Sequence, residues 1–390
     1  MTSTHVSIIG GGVAGLVAAI ALARTGIAAE VYEAWPGSSD EAGAFFTVAT
    51  NGLRALRSLD CLDAVVAQEF LVPRLKVWSG TGKLLGDVPR SGSDCFDTPS
   101  LTIRRGQFVA ALRQVAERHG VGVVAGKRLA RIGEGRQLVF ADRSVAPAAD
   151  VVVGADGLHS SLRSLIDPGA PAPVYSGLVH VWGWSAAPDV DLAPGTFHSF
   201  FGRRAFFGAV REPDGPVWWL AQVPTLPEPD RTSLARVTPE EWRSRLGELA
   251  REDRTVTARL IASSEVIHRA TAGYSVPRIP VWHRQGMVVI GDAAHAVGAG
   301  QGASMAIEDA IVLAKCLKSS PNVTEALVRY ERFRRPRVER VLEGGKANGE
   351  AKTWGPLQKR IADLIAPIFF RFFYRRSTEW LFTYDVDAVA

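Results

Sequence analysis

The run Val6-Ser7-Ile8-Ile9-Gly10-Gly11-Gly12-Val13-Ala14-Gly15, continuing to Val31-Tyr32-Glu33, constrains this chain more than any other stretch. Residues 6–9 are mostly apolar and β-branched and are followed by glycine, the pattern of a parallel strand buried on both faces. Gly10, Gly12 and Gly15 stand in G-x-G-x-x-G spacing. The first permits a tight turn, the second lets backbone approach a pyrophosphate, and the third lets helix and strand pack closely. Residues 14–25 are nearly all Ala, Leu, Ile and Val, which predicts a helix ended by Gly26. Its first N–H groups, around Val13 and Ala14, would then face phosphate oxygens. Glu33 closes the second strand about 20 residues past Gly12, the spacing of a carboxylate that holds a ribose hydroxyl. This is a βαβ unit built for a dinucleotide, and it leaves open which one.

A chain of 390 residues predicts two or three domains. The net charge of +5 comes from scattered arginines without a nucleic-acid motif, so no nucleic-acid partner is expected. Cys61, Cys95 and Cys316 are odd in number and far apart, which argues for reduced thiols in a cytoplasmic protein and against a disulfide framework or metal site. No signal peptide precedes the first strand, and no run reaches the roughly 18 apolar residues of a membrane span, so stable membrane insertion is not expected.

Further along, residues 43–48 read as a strand and Asn51 as the cap of a helix carrying Leu53, Leu56 and Leu59. Short antiparallel strands are expected between Pro73 and Asp97, a helix over about 107–119, and a hairpin over 137–145. A second buried strand, 151–153, runs into Gly154-Ala155-Asp156-Gly157. After Pro168, Pro171 and Pro173, residues 175–223 are rich in Trp and Phe in short alternating runs, which predicts antiparallel sheet with one aromatic face. A helix over 239–251, a strand over 287–290 entering Gly291-Asp292, a helix over about 303–317 and a C-terminal helical region complete the pattern.

Three motifs thus stand in order: Gly10-x-Gly12-x-x-Gly15, Gly154-Ala155-Asp156-Gly157 and Gly291-Asp292-Ala293-Ala294-His295. Over nearly the whole chain this order resembles the single-component FAD-dependent aromatic hydroxylases, the p-hydroxybenzoate hydroxylase-like flavoprotein monooxygenases. In length it is most similar to the short type that includes salicylate hydroxylase, urate hydroxylase and the tetracycline monooxygenases. The resemblance implies an α/β fold: a Rossmann-like FAD-binding domain, here 1–72, 98–170 and 275–320; an inserted antiparallel-sheet substrate domain, 73–97 and 171–274; and a C-terminal helical region, 321–390.

It also implies roles. Gly10, Gly12, Val13, Ala14 and Gly15 would face the FAD pyrophosphate, Glu33 the adenosine ribose, and Arg105 the cofactor as a charged donor. Asp156 would serve FAD and NAD(P)H binding, with Arg163 in its extended motif, and Asp292 the pyrophosphate side or the ribityl chain. Gly300, Gln301, Gly302 and Ala303 would place a helix N-terminus beside the flavin ring, where reduced flavin is negative. His295 belongs to the third motif and reads as structural. Glu308 and Asp309 read as acids complementing that helix's dipole. Where family members carry prolines, this chain has Ala296-Val297-Gly298-Ala299 and is about two residues shorter.

The implied reaction uses NAD(P)H and O2 to hydroxylate an aromatic or polycyclic small molecule through a flavin C4a-hydroperoxide, in a monomer or homodimer. Alternatives on the same scaffold are an epoxidase, a Baeyer–Villiger-type oxygenase, a reductase, or a flavin-binding protein that has lost oxygenation. Trp182, Trp184, Phe200, Phe207 and Trp219 either line the substrate pocket or form core. Strand alternation puts His180 with Trp182 and Trp184 on one face, and His198 with Phe200 on one face. Either histidine is a candidate base for a phenolic proton or a structural residue. Residues 365–374, with Arg371, Arg375 and Arg376 close by, read as packing against the FAD domain or, less simply, as a surface for a membrane or partner.

Overall fold

The computed structural model describes residues 4–37, 45–66, 70–90, 99–186, 189–296 and 300–389. Its centre is a six-stranded sheet in the order His283–Arg284, Met287–Val289, Val151–Gly154, His5–Ile9, Ala28–Tyr32 and Gly122–Val124. All neighbours are parallel except the edge pair formed by His283–Arg284 and Met287–Val289. Val6, Ile8, Val151, Val152, Val153, Val288 and Val289 are wholly buried, as central parallel strands covered on both faces must be. The first helix, Val13–Arg24, packs beside Arg105–Arg118 and Gly302–Ser319. These agree with the predicted helices to within about two residues, the usual uncertainty of helix ends. The expected α/β, Rossmann-like architecture is the one observed.

The aromatic segment forms an antiparallel sheet with Val174–Ser185, Val217–Pro224, Phe206–Arg211 and Thr196–Phe201 in succession. Thr196–Phe201 then pairs in parallel with Arg74–Ser79, which pairs with Leu84–Pro89. Strand alternation gives this sheet two different faces. One carries Val179, Val181, Phe200, Phe207 and Trp219 and packs under Trp242, Leu246 and Leu260 of the helices Pro239–Ala250 and Thr257–Ala262. The other carries Trp182, Trp184, Phe197, Val210 and Trp218 and meets Phe45 and Phe70. Both of these belong to a small sheet of Phe45–Val48, Leu101–Arg104 and Phe70–Leu71.

Several expectations are corrected. Asn51 does not cap its helix: the helix is Thr50–Ser58, Ala49 is its N-cap, and the Ala49 N–H donates to Ser304 Oγ at 3.0 Å. The Asn51 amide instead reaches inward to Glu308 Oε1 at 2.7 Å. The C-terminal helix Pro356–Phe372 packs on the strand Leu84–Pro89 of the aromatic sheet rather than on the dinucleotide domain. Gly43 and Ala44, expected to open a strand, lie outside the described residues, as do Cys95 and Val297-Gly298-Ala299. Cys61 and Cys316 are buried free thiols, each pushed up to about 11 by burial.

Candidate active site

The glycine cradle follows the sequence reading closely. Gly10 has φ +108°, and a side chain there would strike the Ala155 carbonyl oxygen at 2.3 Å. At Gly15 a Cβ would stand 1.9 Å from the Gly10 carbonyl oxygen, so only glycine lets the first helix sit this close to its strand. Gly12 differs: a Cβ there meets nothing within 4 Å, so the space before the helix N-terminus is open. No side chain caps that N-terminus, and its first turn holds no acid. Its unpaired N–H groups and positive dipole end suit an anion. Glu33 stands at the rim, accepting from the Gly11 N–H at 2.6 Å and the Trp35 N–H at 2.9 Å.

A second helix N-terminus converges on the same region. Gly302–Ser319 begins after Gln301, again without a side-chain cap or a first-turn acid. Between the two lies the turn Gly291–Ala293, where a side chain at Gly291 would touch Ala14 at 3.0 Å and Ala306 at 3.2 Å. Asp292 follows Gly291 in this turn, which lies between the first helix and Gly302–Ser319. Its carboxylate reaches solvent but is crowded by protein, and burial raises its pKa while His295 and Arg105 pull it down. Arg105, at the start of its helix, is exposed and has no ion-pair partner among the described residues. The first helix and Gly302–Ser319 thus flank the turn that carries Asp292, with Arg105 in electrostatic reach of its carboxylate.

Asp156 is differently engaged. It accepts from Ser160 Oγ at 2.5 Å and from the Ser161 and Leu162 N–H groups at 2.7 and 3.2 Å, which caps the helix Ser161–Ile166. Arg163 is buried and donates to the carbonyls of Ala293 at 2.9 Å and Leu158 at 2.8 Å, tying the second motif to the third. Both hold the site together from behind.

Glu308 and Asp309 are not first-turn dipole acids. They are fully buried at the centre of an ion network beneath the Gly291–Ala293 turn. Arg334 Nε donates to Asp309 Oδ1 at 2.7 Å, and Arg334 Nη1 lies 2.8 Å from Glu308 Oε2. Arg337 makes a forked pair to Glu308 at 2.7 and 2.8 Å. Asp309 Oδ2 also accepts from the Gly291 N–H at 2.9 Å and faces His295 Nε2 at 2.6 Å. Burial works against the Asp309 charge, but His295 and Arg334 outweigh it and hold the carboxyl down to about 2. The network fixes the turn from which Asp292 projects, and His295 is a buried part of it.

The five aromatic candidates divide by face. Trp182 and Trp184 lie on the side that meets Phe45, with the Trp182 and Phe45 rings edge to face at 5.7 Å. Phe200, Phe207 and Trp219 lie on the opposite face, as core beneath the helices, so they line no pocket on the Trp182 side. His198 shares that far face. It is buried, stacks on Phe200, and accepts from Trp78 Nε1 at 3.1 Å. Burial pushes it down to about 4, and it does not face the cleft.

His180 is on the near face, 3.2 Å from Gln222 Nε2, and is pushed down to about 4 by burial and by Lys352. A group titrating that low is a poor acceptor for a phenolic proton with an ordinary value of about 10. A small cleft of about 50 Å³ opens beside this face, bounded by Phe45, Phe70, Arg104, Glu212 and Trp218.

Two basic residues escaped the sequence reading. Arg90 sits where the sheet, the C-terminal helices and the Gly302–Ser319 helix meet. Its guanidinium covers the Phe197 ring at 4.5 Å, and a side chain at Gly300 would come within 3.6 Å of Arg90 Nη2. Arg90 Nη1 is buried without a hydrogen-bond partner among the described residues, and burial lowers the group to about 10. Lys352, with Nζ 4.7 Å from the Phe206 ring, is lowered to about 8 by burial. Nothing in the local sequence marks either one, because what sets them apart is burial with no acidic partner among the described residues.

The open space at Gly12 before the uncapped first helix suits an anionic group such as a diphosphate. Comparison with known proteins identifies the family. The family model described as "FAD binding domain" matches residues 3–344. The chain is 29% identical over 366 residues to an aurachin C monooxygenase/isomerase of Stigmatella aurantiaca, covering 90% of this chain and 91% of that one. It is 31% identical over 367 residues to a 3-amino-4-hydroxybenzoate 2-monooxygenase of Streptomyces platensis, covering 88% and 87%. Among solved structures, Klebsiella pneumoniae HpxO complexed with FAD and uric acid shares the fold, with a TM-score of 0.83 at 22% identity and 97% of each chain covered.

Proposed function

We propose, from the premise that this chain belongs to the FAD-dependent aromatic hydroxylase family, that it uses NAD(P)H and O2 to place one oxygen atom on an aromatic or polycyclic small molecule. The observation that carries this reading is the convergence of the open Gly12 space, two uncapped helix N-termini and Asp292, with Arg90 beside Gly300 and its Nη1 unpaired among the described residues.

In this reading Gly12, Val13 and Ala14 offer N–H groups to the FAD diphosphate, and Glu33 takes a ribose hydroxyl in place of the Gly11 N–H. Asp292 accepts from a sugar-chain hydroxyl. Gly302 and Ala303 direct N–H groups at the ring's electron-rich edge, where a positive helix end favours developing negative charge. Bound FAD, once reduced, supplies the oxygen-transfer chemistry; the chain supplies orientation and a dry wall. Trp182, Trp184 and Phe45 furnish that wall, and Arg90 holds an anionic oxygen of the substrate close to the ring.

Purified protein should be yellow with bound flavin. A panel of aminohydroxybenzoates and other hydroxylated aromatic rings, the type suggested by the 3-amino-4-hydroxybenzoate relative, should contain a compound that accelerates NAD(P)H oxidation and gains one atom from labelled O2. Label in an epoxide or ester product would move the reading to an epoxidase or a Baeyer–Villiger oxygenase, and an unlabelled product to a reductase. FAD and ligand bound without turnover would mean that oxygenation has been lost.

Arg90→Gln should lower kcat/KM on the accepted compound about 10- to 100-fold while bound FAD is retained, the cost of one charge-assisted hydrogen bond of roughly 1.5–3 kcal/mol. Unchanged kcat/KM would remove Arg90 from substrate recognition.

A further inference from the structure

The helix Pro356–Phe372 shows an apolar stripe that the fold leaves uncovered. Leu357, Ile361, Leu364, Ile365, Ile368 and Phe372 recur at three- and four-residue steps, so they share one face. Each is between 49% and 72% exposed. The helix is not a detached segment waiting to fold back, because its other side is already engaged. The Phe370 ring lies against Gly86, Lys359 Nζ donates to the carbonyls of Gly202 and Arg203 at 2.7 and 2.9 Å, and Lys83 Nζ donates to the Asp363 carbonyl at 2.8 Å. A stripe of this length on a helix fixed from behind is a surface built to be covered.

Charge indicates what covers it. By helical spacing Arg360 and Arg371, about three turns apart, fall on the same flank of the stripe, and both are exposed. Arg376, just beyond in the helix Tyr374–Phe382, is exposed too. The helix's own acid, Asp363, interacts with Lys83 and Lys359 on the packed side and does not offset these cations. A second copy set face to face on this stripe would bring cationic flanks together. A layer of anionic headgroups above an apolar interior matches both features at once, and apolar residues beside basic ones are the pattern of helices that lie in a bilayer interface. No helix among the described residues is long and apolar enough to cross a membrane, so contact at the surface is the arrangement that fits.

We propose that Pro356–Phe372 is an interfacial helix that seats this protein on an anionic phospholipid surface, with its apolar stripe at the headgroup–acyl boundary and Arg360 and Arg371 on lipid phosphates. The proposal does not depend on the reaction catalysed.

The test is flotation of the full-length protein with vesicles of equal parts phosphatidylcholine and phosphatidylglycerol, against vesicles of phosphatidylcholine alone. The protein should float with the anionic vesicles, more weakly in about 0.5 M salt, where charge is screened. The double variant Leu364→Glu/Ile368→Glu should reduce binding about tenfold or more, since it puts charge where apolar burial was. Arg360→Glu/Arg371→Glu should bring binding down to the level seen with phosphatidylcholine alone. Both variants should keep wild-type melting temperature, which separates a lost surface from a lost fold. Wild-type protein that stays unbound on anionic vesicles would overturn the proposal. So would a concentration-dependent dimer in sedimentation velocity that Leu364→Glu/Ile368→Glu converts to monomer, which would make a second copy the occupant.

Discussion

An Arg334→Leu variant is expected to lose about 3–5 kcal/mol of unfolding free energy, the cost of removing one member of a buried ion network and leaving the opposite charge unpaired. Arg334 is wholly buried and faces both Glu308 and Asp309, neither of which reaches water. Burial works against its own charge, yet Asp309 and Glu308 outweigh that and keep it protonated. Arg337→Leu should cost less, because Arg334 would still face both acids and Arg337 lies nearer the surface. Urea denaturation of the two variants checks the order.

The pH dependence has a defined sign. Asp309 is held down to about 2 in the folded protein, against an ordinary value near 3.9 when unfolded. Its contribution is therefore fully present above about pH 4 and is lost as pH falls through the folded value. Without Arg334 one of the two groups that lower Asp309 is gone, so the acid transition of the variant should begin at higher pH. A variant within about 1 kcal/mol of wild type at neutral pH would show that the network is not the structural centre described here.

The two acids also show where local reading of the sequence stops. Placed early in a helix, Glu308 and Asp309 satisfy the dipole rule, and that rule needs no knowledge of the rest of the chain. Their partners are Asn51, His295, Arg334 and Arg337, which come from three other segments. By contrast the glycine motifs were legible because much of their constraint is local: Gly15 is required by the Gly10 carbonyl within the same βαβ unit, and Gly10 by its own positive φ. The aromatic sheet falls between these cases. Alternation correctly groups His180 with Trp182 and His198 with Phe200, since the period of a strand is two. It cannot say which group faces the cleft, because both faces are rich in aromatic side chains. That is why Phe200, Phe207, Trp219 and His198 turn out to be core. Arg90 could not be read at all: among so many arginines, only the fold reveals that this one lies over Phe197 beside Gly300 with its Nη1 unpaired among the described residues.

The sharpest test of the site separates Gly12 from Gly15. Gly12 has φ −82° and ψ −167°, an extended conformation open to any residue, and a Cβ there meets nothing within 4 Å. Gly12→Val should therefore leave the apoprotein's unfolding free energy within about 0.5 kcal/mol of wild type, as at an unencumbered surface position. In the proposed cofactor placement this empty space is where backbone approaches the diphosphate, and a valine side chain would fill it. FAD affinity should fall about 100-fold or more, roughly 2.7 kcal/mol, measured by titrating apoprotein with FAD and following flavin fluorescence. Gly15→Val should instead fail in the fold itself, because its Cβ would stand 1.9 Å from the Gly10 carbonyl oxygen. Wild-type FAD affinity in Gly12→Val would place the diphosphate elsewhere. Loss of cofactor with an intact fold in Gly12→Val, beside loss of fold in Gly15→Val, would show that two glycines three residues apart serve different ends: one leaves room for the ligand, the other lets the helix sit close enough to meet it.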